Sequence, residues 1–112
     1  MKSLTEWMNE GHISGTYMQR CKKVLCEDGT EISIQASSGH YCQPRKDSPN
    51  NSYDIYESFE IGFPTREIEC LRTYAECDED LTETVYGYVP KEVVEQAVAD
   101  CGGIVGFAKD AN

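Results

Sequence analysis

VLCEDGTEISIQAS, residues 24–37, is the stretch whose reading decides the fold. Asp28-Gly29 stands between two strand-like runs, and Asp-Gly is a dipeptide that readily takes the positive backbone torsions of a tight hairpin turn. Beyond the turn, Ile32, Ile34 and Ala36 alternate with Glu31, Ser33 and Gln35. That period of two belongs to a strand with one buried face and one wet face. The run TYMQRCKKVLC, residues 16–26, supplies the partner strand. Hairpins between sequential strands favour antiparallel pairing.

Working outward, residues 43–52 (QPRKDSPNNS) read as a loop, with two prolines, Asn-Asn and charge leaving nothing to pack. YDIYESFEIGF, residues 53–63, alternates again. Tyr53, Ile55, Phe59, Ile61 and Phe63 fall on one side, with Asp54, Tyr56, Ser58 and Glu60 on the other. Glu57 interrupts the apolar row, which predicts a sheet margin or a bulge there. Thr65 is placed to cap a short helical stretch through Leu71, AECDEDLTE is an acidic loop, and TVYGYV is a short strand.

Helices are expected at both ends. Ser3 and Glu6 have capping-box spacing, Leu4, Trp7 and Met8 share a face, and Gly11 is a stop. Pro90 opens a second helix with Val93, Val94, Ala97, Val98 and Cys101 on one face, ended by Gly102-Gly103. The tail docks through Ile104, Val105 and Phe107. These elements predict an α+β fold: a small, mostly antiparallel sheet with N-terminal and C-terminal helices packed on one face. At 112 residues the chain suits a single domain, 1–112.

Charge is unevenly placed. Of the net −10, residues 54–83 carry −8, with ten acids against Arg66 and Arg72, whereas residues 1–53 balance six acids with six bases. Such a surface repels phosphates, so direct nucleic-acid binding is disfavoured and a basic protein surface is attracted. No apolar run approaches the ~18 residues of a membrane-spanning helix. MKSLTEWMNEGH lacks the apolar core of an export signal, so a cytoplasmic location is expected. There Cys21, Cys26, Cys42, Cys70, Cys77 and Cys101 stay reduced and serve mostly as small apolar filler.

Two regions carry candidate chemistry. In the first, carboxylates on a strand, a helix and a loop are fixed relative to one another by folding. Asp54, Tyr56, Glu60, Glu76, Asp78, Glu79 and Asp80 are the expected partner-binding residues, with Tyr74 as a further aromatic anchor. The bland reading of such a run is a solvated face that aids solubility. In the second, Ser38, His40, Tyr41 and Arg45 offer hydroxyl, imidazole and guanidinium donors to a phosphate or carboxylate, beside Gly39. The bland reading there is a strand terminus, and it is favoured over a reaction centre. Catalysis by Cys42 with His40 as base lacks any surrounding nucleophile signature. A zinc site from Cys21, Cys26, His40 and Cys42 lacks knuckle spacing. No metal or other cofactor is expected.

LTEWMNEGHI, SIQASSGHYCQPR, YESFEIGFP and ETVYGYVPKEVVEQAVADCGGI, which together span most of the chain, resemble parts of small proteins carried by phages and mobile elements of Gram-positive gut bacteria. Short, acidic, single-domain proteins of that kind are similar to anti-defence factors, including anti-CRISPR and anti-restriction inhibitors that act by binding. The resemblance implies a non-enzymatic inhibitor of a host defence or nucleic-acid-handling protein, working in the bacterial cytoplasm. A nucleotide-signal binder using residues 37–45, or a Cys/His zinc module, is the alternative.

Overall fold

A computed structural model describes residues 2–13, 19–48 and 52–109. The start of the run 16–26, the Pro-Asn-Asn end of the 43–52 loop from residue 49, and the tail from residue 110 lie outside the described residues. In chain order the elements are α1 (Leu4–Glu10), β1 (His12–Ile13), β2 (Arg20–Cys21), β3 (Val24–Cys26) and β4 (Glu31–Gln35). A 3₁₀ turn, Tyr53–Ile55, precedes β5 (Ser58–Gly62), and a second, Glu69–Tyr74, follows it. β6 (Val85–Pro90), α2 (Lys91–Asp100) and β7 (Ile104–Phe107) complete the chain.

The hairpin forms at Asp28-Gly29. Gly29 takes φ +91°, Thr30 N–H donates to Asp28 Oδ1 at 2.9 Å, and β3 pairs antiparallel with β4, Val24 opposite Ile32. Among the described residues a five-stranded sheet runs β6–β5–β4–β3–β7, every neighbouring pair antiparallel. β1 and β2 form a separate two-stranded pair.

Register sets the core. Val24 faces Ile32, Ile34 faces Ile61, and Ile61 faces Tyr86, so these five side chains share one sheet face and are all 1% exposed or less. Helix α2 buries Val94, Ala97 and Val98 against that face, and Gly102-Gly103, both at φ +91°, ends it with Gly103 N–H on Val98 O at 2.8 Å. The capping box on α1 is present, Leu4 and Met8 enter the same hydrophobic cluster, and Trp7 meets Phe107 edge-on with centroids 5.6 Å apart. Both helices therefore lie on the core face. The opposite face carries half-buried Glu31, Ser33, Gln35 and Glu60 with Gly62 and Gly87. The chain is α+β as its sequence pattern predicts, and no helix among the described residues is long and apolar enough to cross a membrane.

Three expectations need correction. Residues 53–63 are not one strand: Tyr53 and Tyr56 are both buried, a spacing of three that suits a 3₁₀ turn and not alternation. Ile55 and Phe63 consequently face solvent, at 37% and 49% exposure, and Phe63 sits at φ +46°. Thr65 caps no helix. It exchanges hydrogen bonds with Glu31, accepting at its hydroxyl from Glu31 N–H and donating its own N–H to Glu31 O. The tail is an edge strand paired with β3, and Val105, half-exposed at a register shift, does not dock. Glu57 stands at the sheet margin, one residue before β5 begins, and the register shift against β6 lies further on, between Phe59 and Ile61.

β2 continues the line of β3 along β4, but a side chain replaces the backbone link. Gln35 Oε1 accepts from Cys21 N–H at 2.8 Å and Gln35 Nε2 donates to Cys21 O at 2.8 Å. Gln35→Met, similar in length, strips both partners from Cys21. The expected loss is about 1–3 kcal/mol, read as a lower denaturant midpoint at constant m-value. An unchanged midpoint would show that this amide does not hold β2 to the sheet.

Candidate functional site

The expected acidic surface is divided by the fold. Asp54 lies in the 3₁₀ turn before β5, next to Ser52 and Thr5 of α1, whose hydroxyls hold its carboxyl below the usual range. Asp78, Glu79 and Asp80 lie in the loop before β6, at the other end of the β5–β6 ladder, because Ser58 pairs with Pro90 and Gly62 with Val85. Across a five-residue strand that is roughly 17 Å. Tyr56 is no surface anchor: it is 2% exposed, with its hydroxyl donating to Lys46 O at 2.5 Å and accepting from Gln19 Nε2 at 3.0 Å. Glu60 is half-buried, and its Oε1 accepts from Tyr41 N–H at 2.8 Å. What remains together is the loop. There Asp80 Oδ1 accepts from the backbone and hydroxyl of Thr82, which lowers its pKa, and Arg72 Nε donates to Glu69 Oε2 at 2.6 Å with Glu67 and Asp78 near the same guanidinium. Leu81, 1% exposed, anchors the loop, its carbonyl taken by the Tyr86 hydroxyl.

The segment 37–45 is largely self-satisfied. Ser38 N–H donates to Asp47 Oδ1 at 3.0 Å, and His40 Nδ1 shares a 2.6 Å hydrogen bond with Ser37 Oγ. Cys42 is fully buried and its thiol donates to Ser37 O and Pro44 O. Burial raises that thiol, which opposes the thiolate a nucleophile needs, and His40 Nδ1 is engaged by Ser37 Oγ. Arg45 stands over the Tyr41 ring, 5.1 Å from the centroid, while Tyr41 itself is 40% exposed. Among the described residues no group of three or more His, Cys, Asp or Glu is placed to hold a metal, and Cys21 instead bonds Met8 O.

The structure assembles a different site where this segment meets the edge strand. In β6, Val89 faces Phe59 and Tyr86 faces Ile61, so Glu60 alone opposes both Gly87 and Tyr88. That is a β-bulge, one extra residue on β6. It lets Tyr86 and Val89, three residues apart, both reach the core at zero exposure, and it turns Tyr88 outward at 47%. Tyr88 takes φ +54°, a left-handed backbone that costs a residue with a Cβ roughly 1–2 kcal/mol. Its N–H donates to Tyr41 O at 3.0 Å, and the two rings lie 5.9 Å apart. Gly87 has no room for a side chain without pressing on Tyr41, whose Cβ would be 3.3 Å from an added Cβ.

Tyr88 divides three shallow depressions. One, about 300 Å³, is lined by Tyr41, Tyr74, Ala75, Glu76, Gly87 and Tyr88. A second, about 710 Å³, lies toward Arg45, Lys46 and Ile55. The third, about 430 Å³, reaches Lys91 at the start of α2 and includes Ser58, whose buried hydroxyl has no hydrogen-bond partner among the described residues; Glu57 and Glu92 in its walls oppose an anion there. Sequence reasoning named Tyr41 only as a pocket donor and missed Tyr88. Strict alternation through TVYGYV puts Tyr86 and Tyr88 on one face, and the signal against it was Gly87 between them, since glycine inside a strand marks a bulge or close approach.

No protein-family model matches this chain, and comparison with curated proteins and with solved structures finds no match either.

Two measurements follow from this geometry. Alkylation of the folded protein near neutral pH is expected to label exposed Cys77 first and to reach Cys21, Cys26 and Cys42 only on unfolding, because burial pushes the first two thiols up to about 12 and raises the third. Early labelling of Cys42 in peptide mass spectra would restore the nucleophile. Burial also holds His40 below its ordinary 6.5, outweighing Glu60 and Asp47. The unfolded chain then binds a proton that the folded chain refuses, so stability falls as pH drops through 6.5 and levels off below the folded value. His40→Asn should flatten the thermal midpoint between about pH 7 and pH 6; a slope equal to the wild type's would assign the titration to another group.

Proposed function

We propose that the chain is a binding protein, not an enzyme, which docks on a basic surface of a partner protein through the Tyr41–Tyr88 pair and the carboxylates around it. Tyr88 carries this reading. A tyrosine in a left-handed conformation, half in solvent, costs the fold energy and adds little to the core. Exposed tyrosines with few torsions to freeze are the usual anchors of protein interfaces. Glu57 and Glu76 flank the pair, and the 76–80 loop extends the negative potential, so encounter with a cationic surface is fast and salt-sensitive.

Resemblance to phage-borne anti-defence factors points to a host defence or nucleic-acid-handling protein as the target, in the cytoplasm of a bacterial host. The groove of such a protein binds phosphates and is therefore basic. Binding by a nucleotide signal at Ser38, His40, Tyr41 and Arg45 is less favoured, since the Ser38 backbone N–H and one ring nitrogen of His40 are already engaged internally and Arg45 stacks on Tyr41.

The test is capture from a bacterial lysate at low and high salt by the wild type, by Tyr88→Asn and by Asp78→Lys/Glu79→Lys. Asparagine tolerates φ +54°, so Tyr88→Asn should keep or raise stability, by up to about 1 kcal/mol, while partner retention falls at least about tenfold. Charge reversal should weaken capture most in low salt. Equal retention of the same proteins by all three forms in low salt would refute the docking surface.

A further inference from the structure

We infer that the depression between Tyr41, Tyr74 and Tyr88 is a receptor for a single guanidinium group, taking one arginine side chain of the partner. The inference rests on the docking reading above and specifies its chemistry.

Three tyrosines from three separate segments line this site. Tyr41 comes from the loop after β4, Tyr74 from the end of the second 3₁₀ turn, and Tyr88 from the bulge in β6. Gly87 lines it too, and a side chain there would press on Tyr41, whose Cβ lies 3.3 Å from an added Cβ. Glu76 is the one charged residue in the wall among the described residues. It is exposed and its backbone is fixed, its N–H donating to Val85 O at 3.0 Å, beside the bridge between Ala75 and Tyr86. At about 300 Å³ the depression is at the small end for ligand sites and has ample room for one side chain.

Aromatic faces carry negative potential, and a cation within about 6 Å of a ring centroid is attracted to it. The chain demonstrates this on its own ring: Arg45 stands 5.1 Å from the Tyr41 centroid, while lining the neighbouring depression and not this one. An incoming guanidinium would meet the rings in a similar manner, with Glu76 accepting its N–H groups. Guanidinium suits such a site better than ammonium, because it is planar, stacks on rings and gives up water more readily. An anion would meet Glu76 and the acidic loop and be repelled. A neutral apolar group would leave the carboxylate unused.

The probe is the peptide acetyl-Gly-Arg-Gly-amide, compared with its citrulline counterpart, which keeps the shape and loses the charge. Both are titrated into the full-length protein while ring resonances of the tyrosines and the Gly87 amide are followed by NMR. The arginine peptide should shift Tyr41, Tyr74, Tyr88 and Gly87 saturably, and bind at least about tenfold more tightly than the citrulline peptide, as a charge-assisted contact requires. Glu76→Gln lies on the surface, leaves the rings in place, and should remove about three- to tenfold of the affinity.

Equal shifts by both peptides would overturn the inference. So would arginine-dependent shifts confined to residues 78–80, which report a diffuse attraction with no receptor. Capture of a partner that requires Tyr88 but ignores Glu76→Gln, with Gly87 unmoved by the arginine peptide, removes the guanidinium site and leaves the docking surface standing.

Discussion

Tyr86 and Val89 must both face the core, and on a regular strand two residues three apart cannot. The bulge at Gly87-Tyr88 resolves that conflict, and much of the molecule's surface follows from it. Glu60, opposite the bulge, is half-buried and accepts from Tyr41 N–H; the Tyr41 carbonyl in turn accepts from Tyr88 N–H. This relay runs carboxylate, loop backbone, edge-strand backbone. It ties a proline-containing loop to the edge of the sheet and covers part of that edge, while Ala75 and Glu76 cover the portion at Val85 and Tyr86. An uncovered edge is a template for unwanted pairing, and here two segments blunt it.

How much of this was legible in the sequence depends on how local the cause is. Asp28-Gly29, the Ser3–Glu6 box, the apolar face of α2 and the Gly102-Gly103 stop are each decided within a few residues, and each forms as read. Residues 53–63 failed because their alternation is real as a pattern but competes with burial of Tyr53 and Tyr56 under α1 and the 43–48 loop. Two large rings seeking one core won over the period of two. Tyr88 was unreadable for a related reason. Its orientation depends on which β5 residues oppose β6, a register that no window of β6 contains. Thr65 has a capping residue's chemistry but finds the backbone of Glu31, 34 positions away.

Charge behaved similarly. The sequence places ten acids in thirty residues, and proximity along the chain suggests one patch. A strand running through that block carries its two ends apart, so Asp54 joins α1 and the 78–80 loop joins Arg72. Of these carboxylates, Glu57 and Glu76 line depressions beside the exposed Tyr88. Density of charge in sequence sets the long-range field; local chemistry is set by where strands begin and end.

Arg66 illustrates how such distant segments are fastened. Helix α2 has no basic residue in its last turn, and Arg66 Nη2 donates to Asp100 O at 3.1 Å and Cys101 Sγ at 3.3 Å while its Nε pairs with Asp28 at 3.1 Å. A clasp joining the hairpin turn, the link after β5 and the end of α2 can close only after all three have formed. The bearing is kinetic: a contact among three segments this far apart in sequence, when absent from the folding transition state, slows escape from the folded state and does nothing to hasten arrival there.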